Sequence, residues 1–524
     1  MDILSKSKKV DTDLEPLTKK IYLVIEPPSL NNNQGDADRL KETILKQFPH
    51  LKDIYIPLQL LRSVPHICRY NNWKVTVTLY ENGNYGHLIK IEPGQKTSHH
   101  WGIAADIGTT TIVAYLIDMK DGAIVDVESS YNQQLVFGED ILTRLQQAED
   151  NGRLSALQNA IIDSLNIVIN RLTNNNHLET GDISVISLSG NTTMVHFFLG
   201  INPSNIFHTP YIPAVNDPGT IDARDLRLNI DPFGIIYCIP SVGSYVGGDV
   251  VSGILVSELY KCKEISILVD IGTNGEIVLG NLDWMLACAG AAGPALEGGV
   301  VDIGMKAEEG AVANIKIIPE TKQVEYKTIG DTKPKGICGS GLIDCIAELL
   351  LNGIIDRRGN FKDGDSYFVV VPANKTARNK DILITQNDIK NVIRTKGAVN
   401  AALEVILESV GCTLDDINNF YLAGAFGEYL NVESAITIGL YPDLQRDKFV
   451  HLGNSSVEGA RLTLISKEKR SDIKKISSNI TYIELNANQQ FMNKYTSGLF
   501  LPHTNIAAFP TVRKKLIKYG IIKP

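Results

Sequence analysis

At 524 residues the chain is too long for one hydrophobic core, and roughly three units are expected at ~150 residues each. Lys and Arg total 51 against 59 Asp and Glu, a formal charge of −8, so no excess of basic residues points to a nucleic-acid partner. No apolar run approaches the ~20 residues that span a bilayer, and the N-terminus MDILSKSKKVDTDLEPLTKK lacks an apolar segment of signal-peptide type, so no membrane partner and a cytoplasmic location are expected.

Residues 1–20 are polar and are expected to form a flexible tail. From 21 the chain reads as a strand (IYLVIEPP), two helices (ADRLKETILKQF and PLQLLRSVPHICRY) and a hairpin in which WKVTVTLY and HLIKIEPG alternate around ENGN. This predicts a small α+β domain over 21–98, read as a middle domain. A block over 100–260 then opens with AADIGTTTIVAYLIDMKDGAIV, strand, turn, strand and a KDG hairpin into a third strand, followed by a helix near 139–172 and the strand ISVISLSG. A block over 261–465 repeats this grammar: ISILVDIGTNGEIVLGNLDWMLACAG, the helices LIDCIAELLLNG and KNVIRTKGAVNAALEVILESVG, and the strand NNFYLAGAFG. Residues 466–524 are left as a C-terminal segment packing back on these blocks.

The repeated element is a hairpin whose turn carries Asp, Gly and Thr. Gly108 and Gly272 let the main chain approach an anion without a Cβ, and the hydroxyls and amides of Thr109, Thr110, Thr111, Thr273, Asn274 and Gly275 donate to it, which makes each turn a cup for phosphate oxygens. Asp106 and Asp270 cannot touch phosphate directly; they fit as holders of the hydrated Mg²⁺ that accompanies a nucleoside triphosphate. A lone DxGT is common in ordinary strand turns. Two copies at the same place in two similar blocks are not.

The pair of DIGT turns resembles the two phosphate loops of the acetate and sugar kinase, Hsp70 and actin superfamily. SLSGNTTM (187–194) is similar to its first connecting segment, GICGSGLIDCIAELL (336–350) to its second, and LAGAFGEYLN (422–431) to its adenosine motif. The resemblance implies an α/β fold: a duplicated actin-like, Hsp70-like ATPase domain behind the small N-terminal α+β domain. It implies that Gly190, Gly339 and Gly341 permit close crossing at a hinge, with Gly339 also among the nucleotide-binding residues. It also implies that Gly424, Ala425, Phe426 and Gly427 bring a helix N-terminus to the α-phosphate and ribose. Asp249, in SVGSYVGGDVVSGIL and twenty-one positions before Asp270, stands where sugar-kinase-like members carry a general base; a plain helix-dipole role is the alternative.

VIEPPSL with ADRL, IEPG, YNQQLVFGEDILTRL, CAGAAGPALEGG and NANQQFMNKYTSGLFLPHT together resemble the reductive activators of corrinoid proteins, from about residue 21 to near 510. That family uses ATP to return an oxidised Co(II) corrinoid, held by a partner protein of a methyltransferase system, to Co(I). The resemblance implies ATP and Mg²⁺ as cofactors, a corrinoid protein as partner, and a homodimer. Glu297, in CAGAAGPALEGG, suits γ-phosphate contact or partner docking, with a tight packing turn as the alternative. Glu139 and Asp140 either face Mg²⁺ or cap a helix.

The sequence departs from the family in one respect. Well-known members carry an iron-sulfur domain or cluster-binding cysteines. Here Cys68, Cys238, Cys262, Cys288, Cys338, Cys345 and Cys412 form no CxxC and read as reduced, mostly buried residues, so no iron-sulfur cluster is expected. Either electrons come from an external donor such as a ferredoxin-type protein, or the chain is shortened. A small-molecule kinase of the sugar or acetate kind, and a nucleotide-dependent regulatory binder, are the competing functions.

Overall fold

The structure, a computed structural model, describes residues 12–150, 152–272, 275–290, 304–362, 364–424, 430–485 and 488–523. They divide into two compact units: one holds 12–255 and Ser456–Ser478, the other 256–455 and 479–523.

The first unit opens with β1 (Thr18–Val24), α1 (Asp36–Gln47), β2 (Asp53–Tyr55), α2 (Leu58–Tyr70), β3 (Lys74–Asn82) and β4 (Tyr85–Pro93), in a sheet of order β1-β3-β4-β2. The first strand thus begins ahead of residue 21. Leu40 and Ile44 from α1 and Val64 and Cys68 from α2 recur at helical spacing and pack with Val75, Val77 and Leu79 as a core of their own. The ENGN hairpin forms, with Gly83 at φ +59 supplying the left-handed turn residue.

The same unit continues with β5 (Trp101–Ile107), β6 (Thr111–Asp118), β7 (Ala123–Tyr131), α3 (Ile141–Asp150), α4 (Leu154–Asn175), β8 (Ile183–Gly190), α5 (Thr192–Leu199), β9 (Thr220–Asp222), α6 (Ala223–Leu226), β10 (Ile235–Cys238) and α7 (Gly248–Ser257). The helix expected near 139–172 is two helices, because Gly152 between them takes φ +60, outside the right-handed range. Leu157, Ile161, Leu165, Val168 and Leu172 of α4 pack on Ile103, Ala105, Ile112 and Ala114 of the sheet. Every residue of β8 is buried, as expected for a central strand parallel to both neighbours.

The second unit contains β11 (Ser266–Ile271), β12 (Gly275–Gly280), β13 (Met285–Gly290), β14 (Ala311–Ile317), β15 (Val324–Thr328), β16 (Gly336–Ile337), α8 (Gly339–Leu351), β17 (Tyr367–Val371), β18 (Ile382–Thr385), α9 (Gln386–Ser409), β19 (Asn419–Ala423), α10 (Val432–Ile438) and β20 (Phe449–Gly453). The chain then runs through α11 (Ser455–Ile465) and α12 (Lys467–Asn479) and ends in β21 (Ile480–Tyr482), α13 (Phe491–Gly498) and α14 (Pro510–Lys518).

The duplication is visible in the two six-stranded sheets, ordered β7-β6-β5-β8-β10-β9 and β20-β19-β11-β12-β13-β21. In each, three strands form an antiparallel meander, the first of them runs parallel to a fourth, and the fourth runs parallel to a fifth. Asp106 lies opposite Ser189 on the fourth strand of its sheet, and Asp270 lies opposite Ala423 on the fourth strand of its own. The fold is the α/β actin-like architecture with an N-terminal sheet domain.

The end of the second unit is held by one buried and one half-buried cation. Lys396 of α9 has no exposed surface and donates to the carbonyl of Phe500 at 2.6 Å and to that of Pro502; Arg357 donates to the carbonyls of Leu501 at 3.0 Å and His503 at 2.5 Å. Nearby, Gly397 of α9 and Gly498 of α13 cross so closely that a Cβ on Gly498 would lie 3.0 Å from the Gly397 Cα. Among the described residues no helix is long and apolar enough to cross a membrane.

Candidate functional site

The first DIGT turn joins β5 to β6. The Gly108 amide donates to the Thr111 carbonyl at 3.0 Å, and a Cβ on Gly108 would lie 2.6 Å from that oxygen, so only glycine fits the turn. Asn132, just past β7, donates from its amide N–H to the Thr110 carbonyl at 2.9 Å and from Nδ2 to the Gly108 carbonyl at 3.0 Å. Thr109 is buried, and its hydroxyl accepts from Asn191 Nδ2 at 3.2 Å. Asp106 is half-buried, and its Oδ1 accepts from the Ser456 hydroxyl at 2.7 Å. Ser456 also lies 2.9 Å from the Ser189 hydroxyl, which lies 3.1 Å from that of Ser252.

Asn191 caps α5, its Oδ1 accepting from the Met194 amide at 2.9 Å. A Cβ on Gly247 would lie 2.4 Å from the Asn191 Cα and 2.8 Å from Asp249 Oδ1, so the loop before α7 rests on the start of α5. Asp249 is the second residue of α7, and its Oδ1 accepts from the Val250 amide at 2.8 Å. Burial pushes its carboxyl up to about 6, against that hydrogen bond, which favours the charged form. Asp249, Asn191 and loop 106–111 thus form a connected group within one unit, although Asp249 has the position of a helix-start acid as well.

In the second unit Asp270 is paired in the sheet with Glu276 and Ala423, and Gly275 with Ile271. Gly424 takes φ +83, and a Cβ there would lie 2.6 Å from Asp270 Oδ1. The strand end at 424 is therefore clear beside the carboxylate. Gly272 lies in the bend after β11. Thr273, Asn274, Ala425, Phe426, Gly427 and Glu297 lie outside the described residues.

Three expectations are refined. Asp140 is a helix cap: it accepts from the Thr143 amide at 2.9 Å and hydroxyl at 2.7 Å, and these bonds hold its carboxyl below the usual range against the opposing effect of desolvation. Glu139 is exposed. The small residues read as hinge crossings pack against strands of their own sheets or units: a Cβ on Gly190 would lie 2.9 Å from the Ile107 carbonyl, and one on Gly341 would lie 2.2 Å from that of Val312. Gly339 is the first residue of α8. The chain passes between the units within α7 and at the start of α11, and there a Cβ on Gly459 would lie 2.3 Å from Ser252 Cβ.

Residues 7–98, 101–262 and 264–513 match, in order, the families described as RACo linker region, RACo middle region, and C-terminal domain of RACo, the ASKHA domain. The chain is 34% identical over 424 residues to the corrinoid activation enzyme RamQ of Eubacterium limosum, covering 77% of this chain and 71% of that protein. The chain belongs to the RACo family. Another relative, the [Co(II) methylated amine-specific corrinoid protein] reductase of Methanosarcina barkeri, is 24% identical over 434 residues, with 76% of each chain covered. A solved structure described as a reductive activator for corrinoid, iron-sulfur protein superposes with a TM-score of 0.89 at 38% identity, over 96% of this chain and 82% of that one. In RACo terms the small domain read as a middle domain falls in the linker region, and the middle region is the block that follows it.

Sequence reasoning missed Asn132, Asn191, Gly247 and Ser456 as supports of this RACo site. Asn191 and Asn132 stood inside quoted motifs, each just after a strand and before a helical turn, which is where an Asn side chain caps. Ser456 had no such signal.

Proposed function

We propose that this RACo-family protein uses Mg-ATP to return the Co(II) corrinoid of a methyltransferase-system protein to Co(I), with electrons from a separate donor. The observation that carries this reading is the likeness to the solved reductive activator along 96% of the chain. The electron supplied by the donor ends on cobalt, and ATP and water become ADP and phosphate.

The residues fit a bound nucleotide and cation. Gly108 and Gly424 each leave a space that a Cβ would fill, beside a backbone turn in one case and beside the Asp270 carboxylate in the other. When bound, Mg²⁺ supplies the positive charge that offsets the phosphate oxygens. Asp106 and Asp270 are each a residue that would hold Mg²⁺ through water. In the first unit the amides of Thr109 and Thr111 and the Thr109 and Thr110 hydroxyls would serve phosphate oxygens; in the second, the positions at Gly272 and Gly424 would serve phosphate and adenosine binding. Asp249, with a carboxyl poised near neutral pH, orients the attacking water, a positioning task that suits phosphoryl transfer. Nucleotide state biases cobalt reduction only insofar as the ATP and ADP forms differ in affinity for the Co(II) and Co(I) partner.

The test is the visible spectrum of a purified Co(II) corrinoid methyl-transfer protein held with a low-potential chemical reductant. The Co(I) spectrum is expected only when this protein and Mg-ATP are both added. A phosphorylated small molecule without cobalt reduction identifies a kinase instead, and nucleotide binding without either points to a regulatory binder.

A further inference from the structure

We propose that Asn132 is a positioning residue for phosphate binding, and that Gln134 and Arg144 hold it in place. The inference rests on loop 106–111 being a phosphate loop, and it assigns the loop's geometry to residues outside the loop.

Asn132 is fully buried and uses each of its polar groups. Its main-chain N–H and its Nδ2 bind the Thr110 and Gly108 carbonyls, and its Oδ1 accepts from the Gln134 amide at 3.0 Å. In a trans peptide the C=O and the following N–H point in opposite directions. Pinning the carbonyls of Gly108 and Thr110 toward Asn132 therefore turns the amides of Thr109 and Thr111 away from it. A loop of Gly and Thr has no stiffness of its own, so its amides face an anion only while something else fixes the carbonyls.

That fixed point is tied to the core. Asn132 starts the 3₁₀ turn Gln133–Phe137. The Gln133 amide donates to Ser164 Oγ on α4 at 2.9 Å, and Gln134 Nε2 donates to the α4 carbonyl of Leu157 at 2.9 Å. Arg144, with no exposed surface, donates from Nη1 to Gln134 Oε1 at 3.1 Å and from Nε to the Gly138 carbonyl at 2.8 Å. The planar guanidinium thus locks Gln134 and the end of the turn together, which an ammonium could not do in the same geometry. The loop is thus referenced to α4 through Asn132 and Gln134, with Arg144 bracing Gln134.

The experiment compares ATP with AMP binding, by displacement of a fluorescent nucleotide, in the full chain and in Asn132→Ser and Arg144→Lys. Serine keeps a capping oxygen and the main-chain donor and loses only the reach to Gly108, without adding charge. We expect wild type to prefer ATP, Asn132→Ser to lose about ten-fold of that preference with AMP affinity nearly unchanged, and Arg144→Lys to show a smaller loss in the same direction. If both variants keep the full preference, or weaken ATP and AMP equally, the positioning role is overturned while the nucleotide reading stands. If wild type itself shows no preference for ATP, the phosphate-loop reading falls and the inference falls with it.

Discussion

The Ser456 hydroxyl donates to Asp106 Oδ1 at 2.7 Å, across 350 positions of sequence. Ser456 sits at the start of α11, where the chain re-enters the first unit, so the acid assigned to the magnesium shell is held by a helix from the far end of the protein. Ser456→Ala is expected to raise the Mg²⁺ concentration for half-maximal ATP turnover about ten-fold, the scale of one hydrogen bond to a charged group. ATPase rates measured across a magnesium titration check this. An unchanged midpoint would detach Ser456 from the metal site.

Gly424→Ala places a methyl 2.6 Å from Asp270 Oδ1 and forces a non-glycine residue to φ +83. The backbone strain alone costs about 1–2 kcal/mol. We expect a lower melting temperature together with at least a ten-fold fall in Mg-ATP turnover, because Asp270 must move. Thermal melts paired with steady-state ATPase assays separate the two effects; a fall in stability with full turnover would argue against Asp270 serving the nucleotide.

Asp249→Asn preserves the shape of the side chain and its hydrogen bond from Val250, and removes the charge. If Asp249 orients water, turnover drops about 100-fold or more while ATP affinity stays within a few-fold. Equal loss of both, followed by calorimetric binding and single-turnover hydrolysis, would make it the helix-start acid that its position also allows.

Asp231 is buried before β10, accepts from the Phe233 amide at 2.9 Å, and has its carboxyl raised by desolvation to about 6. A carboxyl whose folded pKa lies above the unfolded value of 3.8 favours the fold while protonated, so its contribution is full below 3.8 and is lost as pH rises through 6. Asp231→Asn keeps the acceptor and removes the charge. It is expected to stabilise the protein on the order of 1–3 kcal/mol at pH 7 and to do little at pH 4, as denaturant melts at the two pH values will record.

The duplication, the two hairpins and the order of their strands were legible because apolar alternation and glycine turns are local signals, and they recur. Both acids at the strand ends followed from the same repeat. What supports them was not legible: Ser456 and Asn132 act through single hydrogen bonds between distant segments, and neither periodicity nor spacing announces such a bond. The small residues at Gly190 and Gly341 were read as hinge contacts because glycine permits any close approach; the sequence does not say which backbone comes close, and here it is the neighbouring strand. The single helix expected near 139–172 failed for a similar reason, since one Gly inside an amphipathic pattern is tolerated in many helices, and only its left-handed conformation breaks this one.

The cations that grip residues 500–503 bind carbonyls, so the grip itself does not depend on which side chains the segment carries, while Leu501 and His503 are buried and hold places of their own. It cannot be removed on the same terms. A protease or a stop codon that deleted everything after Gly498 would remove the carbonyls that Lys396 and Arg357 bind, together with Leu501, Phe509, Val512 and Leu516, whose buried side chains belong to the core of the second unit. Shortening the chain from its C-terminal end is therefore a route to instability, whereas a change at an exposed position such as Thr504 leaves the carbonyl grip in place.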